Sequence, residues 1–417
     1  MELRKRSRKP ALDTLAVHAG RTDFFDLGVH APPIDLSTTY PFGDLQQATA
    51  SLETLVGGGA DAPNAVYARL HNPTVARLER AVADLEGAES AVAFSSGMAA
   101  VTATLLAAAQ RGSHVVAVRP LYGTTDHLLA SGLLGLKISW TQQDGVAASI
   151  RPDTALVVIE TPGNPTLQLV DIESVVRQAG SVPVLVDSTF ATPILQRPLS
   201  LGARFSLHSA TKFIGGHGDV VAGIVAASEA DAAALRRVRV ATGALLHPLA
   251  AYLLHRSIPT LPLRVENAQR TAVEIANRLA GHEAIRNVYF PTLPNCDPRR
   301  LIGRQMSGPG SIVSFELSGD FDHDNEARIK QVSAFFKRLE LITPAVSLGS
   351  TDTLIQHPAG LTHHVLDEDS RVAGGITNAL IRVSIGLEDV EDIWADLSAG
   401  LTAAARFHTD RTVAAGR

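Results

Sequence analysis

A lysine sits among hydroxyls and glycines in FSLHSATKFIGGHGDVVAG, residues 205–223. Lys212 follows Ser209, Ala210 and Thr211 and precedes a glycine-rich run, an unusual setting for a solvated surface charge. Other polar groups follow short apolar runs: Leu121, Tyr122 and Gly123 after HVVAVRP, Glu160, Thr161 and Asn164 after ALVVI, and Asp187, Ser188 and Thr189 after VPVLV. Ligands gather beyond the carboxyl ends of strands in open parallel sheets, so these groups are candidates for one site. A further component is AFSSGMAAVTATLLAAAQRG, where Ser95, Ser96, Gly97 and Met98 open an alanine- and leucine-rich helix. Backbone N–H groups and the helix dipole at such a start suit a phosphate, and Gly97 permits close backbone approach.

Taken singly, each of these residues has a plainer reading. The serines are common helix caps, Asp187 suits a turn, Tyr122 a core and Lys212 a surface. Taken together, a phosphate site, an aromatic face, a carboxylate and a lysine describe pyridoxal 5'-phosphate held as a Schiff base. Asp187 then keeps the pyridine nitrogen protonated, Tyr122 stacks on the ring and Lys212 anchors it. Attack on an aldehyde needs a neutral lysine, which an ordinary pKa of about 10.4 disfavours, so the site must lower it. His208, His217, His363 and His364 do not show HExxH spacing; they read as polar packing, and no metal is expected.

The elements that must position these groups can be traced along the 417 residues, 45% hydrophobic and 19% charged, enough for a core split over two or more lobes. Residues 1–65 are rich in turn formers and read as an irregular, extended arm, with the basic opening MELRKRSRKP as a disordered tail. From 66 to 264 the apolar runs HVVAVRP, ALVVIETP, VPVLVDST and VVAGIVAAS alternate with helical patterns, which predicts a large α/β domain around a mostly parallel sheet. Val265, Ala268, Ala272, Ile275 and Leu279 recur at helical spacing before Gly281, and the remainder, 265–417, reads as a small α+β domain. A net charge of -5 and a pI near 6.3 offer no global field for nucleic acid, and no apolar run approaches membrane-spanning length. The single cysteine, Cys296, leaves no internal disulfide, and a cytoplasmic setting is expected.

The segments YARLHNPTVARLE, AFSSGMAA, LYGTT, ETPGNPT, VDSTFATP, HSATKFIGGHGDVVAG, SLGSTDTLIQHPAGLTH and IRVSIGLEDVED occur in one order that resembles the cysteine and methionine metabolism family of pyridoxal-phosphate enzymes. That family includes cystathionine lyases and synthases, methionine γ-lyase and homoserine-ester sulfhydrylases. The resemblance implies fold type I, with a mostly parallel seven-stranded sheet in the large domain and a small C-terminal α+β domain. It implies that Lys212 anchors the cofactor and shuttles protons, that Asp187 and Tyr122 hold the ring, and that Gly97, Met98, Ser209 and Thr211 bind the phosphate. It also implies that Tyr67 and Arg69 reach the phosphate of a neighbouring subunit, in a homotetramer built from dimers with shared active sites. Arg382 would grip the carboxylate of an amino-acid substrate, with Asn164, Ser347 and Thr189 in support.

Within the family, cystathionine enzymes commonly carry Glu immediately before SLG, where this chain has Val346, which points instead towards methionine γ-lyase. Thr124 stands where methionine γ-lyases usually carry cysteine, and Ser188 where the family often has asparagine. The expected reaction is γ-elimination on an L-amino acid with a leaving group at Cγ, giving a 2-oxo acid and ammonia. The alternatives are γ-replacement of the cystathionine γ-synthase or homoserine-ester sulfhydrylase type and, in another class, a non-catalytic regulator that binds the cofactor.

Overall fold

The computed structural model describes residues 10–319, 321, 324–364, 371 and 374–415. The first nine residues, read as a basic tail, lie outside them. The chain divides into two compact units: one holds the residues up to Arg119, Leu128–Ile159 and Asp171–Pro262, the other Pro120–His127, Glu160–Val170 and the chain from Leu263 onward.

The first unit is built on seven strands: β1 (Ser90–Phe94), β2 (His114–Val118), β3 (Lys137–Thr141), β4 (Thr154–Glu160), β5 (Val184–Asp187), β6 (Phe205–His208) and β7 (Gly223–Ala227). Their order is β1-β7-β6-β5-β4-β2-β3. The pairs β2–β3, β2–β4 and β5–β6 are parallel, whereas β7 runs antiparallel to both β6 and β1. Every residue of β1, β2, β4, β6 and β7 is buried. That explains why SAVAF, HVVAV and TALVVIE are near-continuous apolar runs: a sheet covered on both faces has no outward side to make polar. The four runs read as strands correspond to β2, β4, β5 and β7.

The stretch read as irregular is partly helical, with helices at Leu12–His18 and Leu45–Val56. The second is started by Asp44, whose Oδ1 accepts from the Gln47 N–H at 3.0 Å. That local cap outweighs the surrounding turn formers.

The second unit contains β8 (Ile285–Tyr289), β9 (Ile312–Leu317), β10 (Thr343–Pro344), β11 (Leu354–Gln356) and β12 (Leu380–Ser384), ordered β10-β11-β12-β9-β8. Among the described residues of this sheet, only the β10–β11 pair is parallel. In the β11–β12 register, Gln356 lies opposite Arg382. The helix Leu261–Ala280 ends one residue before Gly281, as its spacing predicts. The C-terminal helix runs Val390–Ala415, well past the VEDIWADLSAGL segment.

Candidate active site

In the first unit, Lys212 lies in the turn between β6 and β7. Its N–H donates to Ser209 O at 3.0 Å and its carbonyl accepts from Gly216 N at 2.8 Å. Asp187 closes β5, where its Oδ1 accepts from both the Thr189 N–H at 3.0 Å and the Thr189 hydroxyl at 2.5 Å. The same hydroxyl accepts from Ser209 N at 2.8 Å. Thr189 therefore ties the end of β5 to the segment leading into Lys212.

Burial pushes the Asp187 carboxyl up from its usual value, while the Thr189 hydrogen bonds and nearby His208 pull the other way. Both Thr189 bonds fall on Oδ1, which leaves Oδ2 for a ligand. A desolvated carboxyl in this state favours a cationic partner, and a protonated ring nitrogen is one.

The helix Gly97–Ala108 begins against Ser209. A Cβ added at Gly97 would lie 2.9 Å from Ser209 Cβ and 3.0 Å from its Oγ, so only glycine allows this approach. Ser96 caps the helix by accepting from Ala99 N at 3.0 Å. The start of that helix, where Gly97 and Met98 lie, and the Ser209 hydroxyl form a set of donors suited to a phosphate. The Thr211 hydroxyl instead faces Ala222, whose N–H it accepts at 2.9 Å and whose carbonyl is 3.2 Å away. Tyr67 and Arg69 are exposed and stack on each other at 5.6 Å, and Arg69 donates to Val240 O at 2.9 Å.

In the second unit, buried Glu160 pins two loops: its Oε2 accepts from Tyr122 N at 2.6 Å and its Oε1 from Asn164 N at 2.9 Å. Arg382, on β12, is 2% exposed. Its Nη1 donates to Asn164 Oδ1 at 2.9 Å and its Nη2 to the Ser347 carbonyl at 2.7 Å. The Gln356 amide fits with its oxygen towards the guanidinium, accepting from Nη1 at 3.0 Å and Nη2 at 2.9 Å. Ser347 has φ 93°, a conformation that non-glycine residues rarely adopt. Burial holds the Arg382 pKa down to about 10, opposed by Tyr122 and Glu160. Three acceptors make four contacts to Nη1 and Nη2 and all belong to neutral groups; among the described residues, only Nε–H of the five guanidinium donors is left for a ligand. Sequence reasoning missed Gln356, because the register that brings it to Arg382 leaves no mark in hydrophobic periodicity.

The histidines differ in their surroundings. His208 Nε2 meets Glu86 Oε1 at 2.5 Å with both side chains buried, and His217 Nδ1 meets Gly215 O at 2.7 Å. His363 is fully buried and close enough to Arg382 for the guanidinium to help lower its pKa.

The model of the Cys/Met metabolism PLP-dependent enzyme family matches residues 13–402. The chain belongs to this family. It is 52% identical over 394 residues to an L-methionine gamma-lyase of Brevibacterium sandarakinum, covering 94% of this chain and 97% of that one. It is 50% identical over 412 residues to an L-methionine gamma-lyase of Streptomyces avermitilis, covering 98% and 92%. Among solved structures, cystathionine gamma synthase from Xanthomonas oryzae pv. oryzae, in complex with aminoacrylate and cysteine, superposes with a TM-score of 0.86 at 35% identity, covering 96% of this chain and 100% of that one. Cystathionine gamma-lyase from Lactobacillus plantarum gives 0.85 at 30% identity, covering 95% and 100%.

The architecture is therefore that of a fold-type-I enzyme, with its large, mostly parallel seven-stranded sheet and a smaller C-terminal sheet-and-helix part. As a member of the Cys/Met metabolism family, the protein is an enzyme that uses pyridoxal 5'-phosphate and acts on small amino acids of cysteine and methionine metabolism through carbon–sulfur bond chemistry. The non-catalytic reading falls away. Among the described residues, no helix is long and apolar enough to cross a membrane.

Proposed function

We propose that this enzyme catalyses γ-elimination on an L-amino acid with a leaving group at Cγ, releasing that group, a 2-oxo acid and ammonia. The bound cofactor supplies an electron sink for negative charge at the substrate Cα. Lys212 would be its covalent anchor and would carry protons between substrate carbons. Asp187, held by Thr189, keeps a positive charge on the ring nitrogen, and Tyr122 covers the ring. Gly97, Met98 and Ser209 hold the phosphate, joined by Thr211 once its hydroxyl turns from Ala222. Asn164 and Ser347 set the edges of Arg382, which binds the substrate carboxylate.

The observation that carries the substrate class is the buried Arg382 guanidinium, which among the described residues has only neutral hydrogen-bond partners and one donor left over. A carboxylate approaching side-on takes Nε–H and competes with the Ser347 carbonyl for its neighbour on Nη2. Support for elimination comes from the relatives at 50–52% identity, which are named as L-methionine gamma-lyases. Val346, apolar and half exposed beside Ser347, adds a surface without charge.

The second reading, γ-replacement with an incoming sulfur or other nucleophile, has its own support: of the solved structures quoted above, a synthase superposes with the highest TM-score. One experiment separates the two. Purified holoenzyme is given methionine, O-acetylhomoserine and other γ-substituted donors without an added nucleophile, and 2-oxobutanoate and ammonia are measured. Release of both supports elimination; turnover that depends strictly on an added thiol rejects it in favour of replacement.

With this reading go a homotetramer of site-sharing dimers, in which Tyr67 and Arg69 serve the partner's phosphate, and a cytoplasmic setting. We also assign residues 1–65 to an N-terminal arm, 66–264 to the large cofactor-binding domain and 265–417 to the small C-terminal domain.

A further inference from the structure

His363 has no assigned part in the chemistry above, yet it is fully buried and, among the described residues, its Nε2 has no hydrogen-bond partner. Its Nδ1 lies 3.0 Å from Thr362 Oγ1. The protons along this contact can be assigned by counting. Both Nη groups of Arg382 donate, so the group facing them must be the Gln356 oxygen. In that orientation the same oxygen accepts from Thr362 Oγ1 at 3.2 Å. A hydroxyl has one proton, and Thr362 has given it to Gln356. Thr362 can then only accept from His363, so the imidazole proton is on Nδ1 and Nε2 is a bare lone pair. Burial, and then the Arg382 charge, hold the imidazole pKa down to about 4 against a weaker opposing contact with the Asn164 backbone, so the ring is neutral near pH 7.

We propose that His363 is a positioning residue for the substrate carboxylate: it closes a hydrogen-bond chain through Thr362 and Gln356 that holds both Nη groups of Arg382, leaving Nε–H for the ligand. The chain is directional, running from His363 Nδ1–H to Thr362, from the Thr362 hydroxyl to Gln356 Oε1, with the guanidinium donating to the same oxygen from the other side. If the histidine donor is lost, the Thr362 hydroxyl has no incoming bond to orient it, and Gln356 is free to turn its amide nitrogen towards the guanidinium. The packing leaves His363 little alternative. A Cβ at Gly123 would lie 2.7 Å from the Thr362 carbonyl and 3.5 Å from His363 Cδ2, so the loop that carries Tyr122 is pressed directly against this pair.

The inference rests on Arg382 being the carboxylate site, and the test separates the two. Holoenzyme and variants are titrated with L-norleucine, which has a carboxylate but no Cγ leaving group, and with n-pentylamine, the same chain without the carboxylate, following the visible spectrum. KM and kcat for the best donor and the melting temperature are measured alongside. His363→Phe should weaken norleucine binding about tenfold, roughly the contribution of one hydrogen bond to a charged site, and raise KM more than it lowers kcat. It should leave pentylamine binding unchanged. His363→Asn, whose amide N–H stands near the place of Nδ1–H, should recover most of the loss. Thr362→Val breaks the same chain with little change of shape and should reproduce the defect even if the phenylalanine variant does not fold. Unaltered norleucine affinity in Thr362→Val and in every folded His363 variant, alongside a clear loss in Arg382→Lys, overturns the positioning role alone. Unaltered affinity in Arg382→Lys as well overturns the carboxylate site itself.

Discussion

Replacing Arg382 tests the substrate reading most directly. Arginine offers five donors, and four already hold Asn164, Ser347 and both contacts to Gln356. Lysine offers three donors from one nitrogen against three protein oxygens and a carboxylate, so at least one acceptor is left unmet and the two-pronged grip is lost. Losing one hydrogen bond to a charged group costs about 1.5–3 kcal/mol, which for Arg382→Lys corresponds to a fall in kcat/KM of about 10- to 150-fold. Arg382→Leu removes the charge altogether. Truncating one partner of a buried charged pair costs about 2–5 kcal/mol, or about 30- to 5,000-fold. The carboxylate does not change during the reaction, so both losses should appear mainly in KM. Steady-state kinetics on the preferred donor, with thermal melting to confirm folding, gives the answer. If Arg382→Leu stays within threefold of wild type in KM and kcat, the assignment of this buried cation to the carboxylate is wrong.

Three further outcomes follow from the geometry. The folded-state pKa of Asp187 lies above its usual 3.8 because of burial, so this group lowers apoprotein stability as pH rises above about 3.8 and until the folded carboxyl has ionised. Asp187→Asn should therefore melt no lower than wild type as apoprotein near pH 7 while losing affinity for pyridoxal phosphate; a lower apo melting point together with full cofactor retention contradicts this account. Gly97→Ala pushes a methyl to 2.9 Å from Ser209 Cβ, and overpacking of this kind costs about 1–3 kcal/mol. The melting temperature and the cofactor affinity should both fall, and a second change, Ser209→Gly, should restore the melting temperature but not the affinity read by equilibrium dialysis, because it removes a phosphate donor. Co-expressed Lys212→Ala and Arg69→Ala chains, each inactive alone, should regain about a quarter of wild-type activity if sites are shared across a two-fold interface, because half the pairs are mixed and each mixed pair has one intact site. No recovery in a confirmed mixed oligomer rejects sharing through Arg69.

Much of this enzyme was legible before its structure. The runs HVVAV, ALVVIE, VLVD and GIVAA are apolar without alternation because their strands are covered on both faces, and this pattern survives in one dimension. Lys212, Asp187 and the glycine-led helix stand out as candidates for a similar reason: each is a local signal, a polar group at the end of an apolar run or a cap before a helix. Local capping also shaped what was misread, since Asp44 alone starts a helix in a stretch dominated by turn formers.

Only the tertiary structure decided how the candidate residues are held. That Thr189 spans from Asp187 to Ser209 depends on β5 and β6 lying side by side, although 17 residues, 188–204, separate the two strands along the chain. That Arg382 keeps one donor for a ligand depends on the antiparallel register setting Gln356 opposite it, and a slip of one residue would turn that amide to the other face. The proton on His363 is more remote still. It follows from a chain of donors and acceptors in which each group's role is set by its neighbour, so no residue type or spacing can announce it. Sequence determines which groups are available and which backbone segments carry them; directional hydrogen bonds between segments distant along the chain determine what those groups can do.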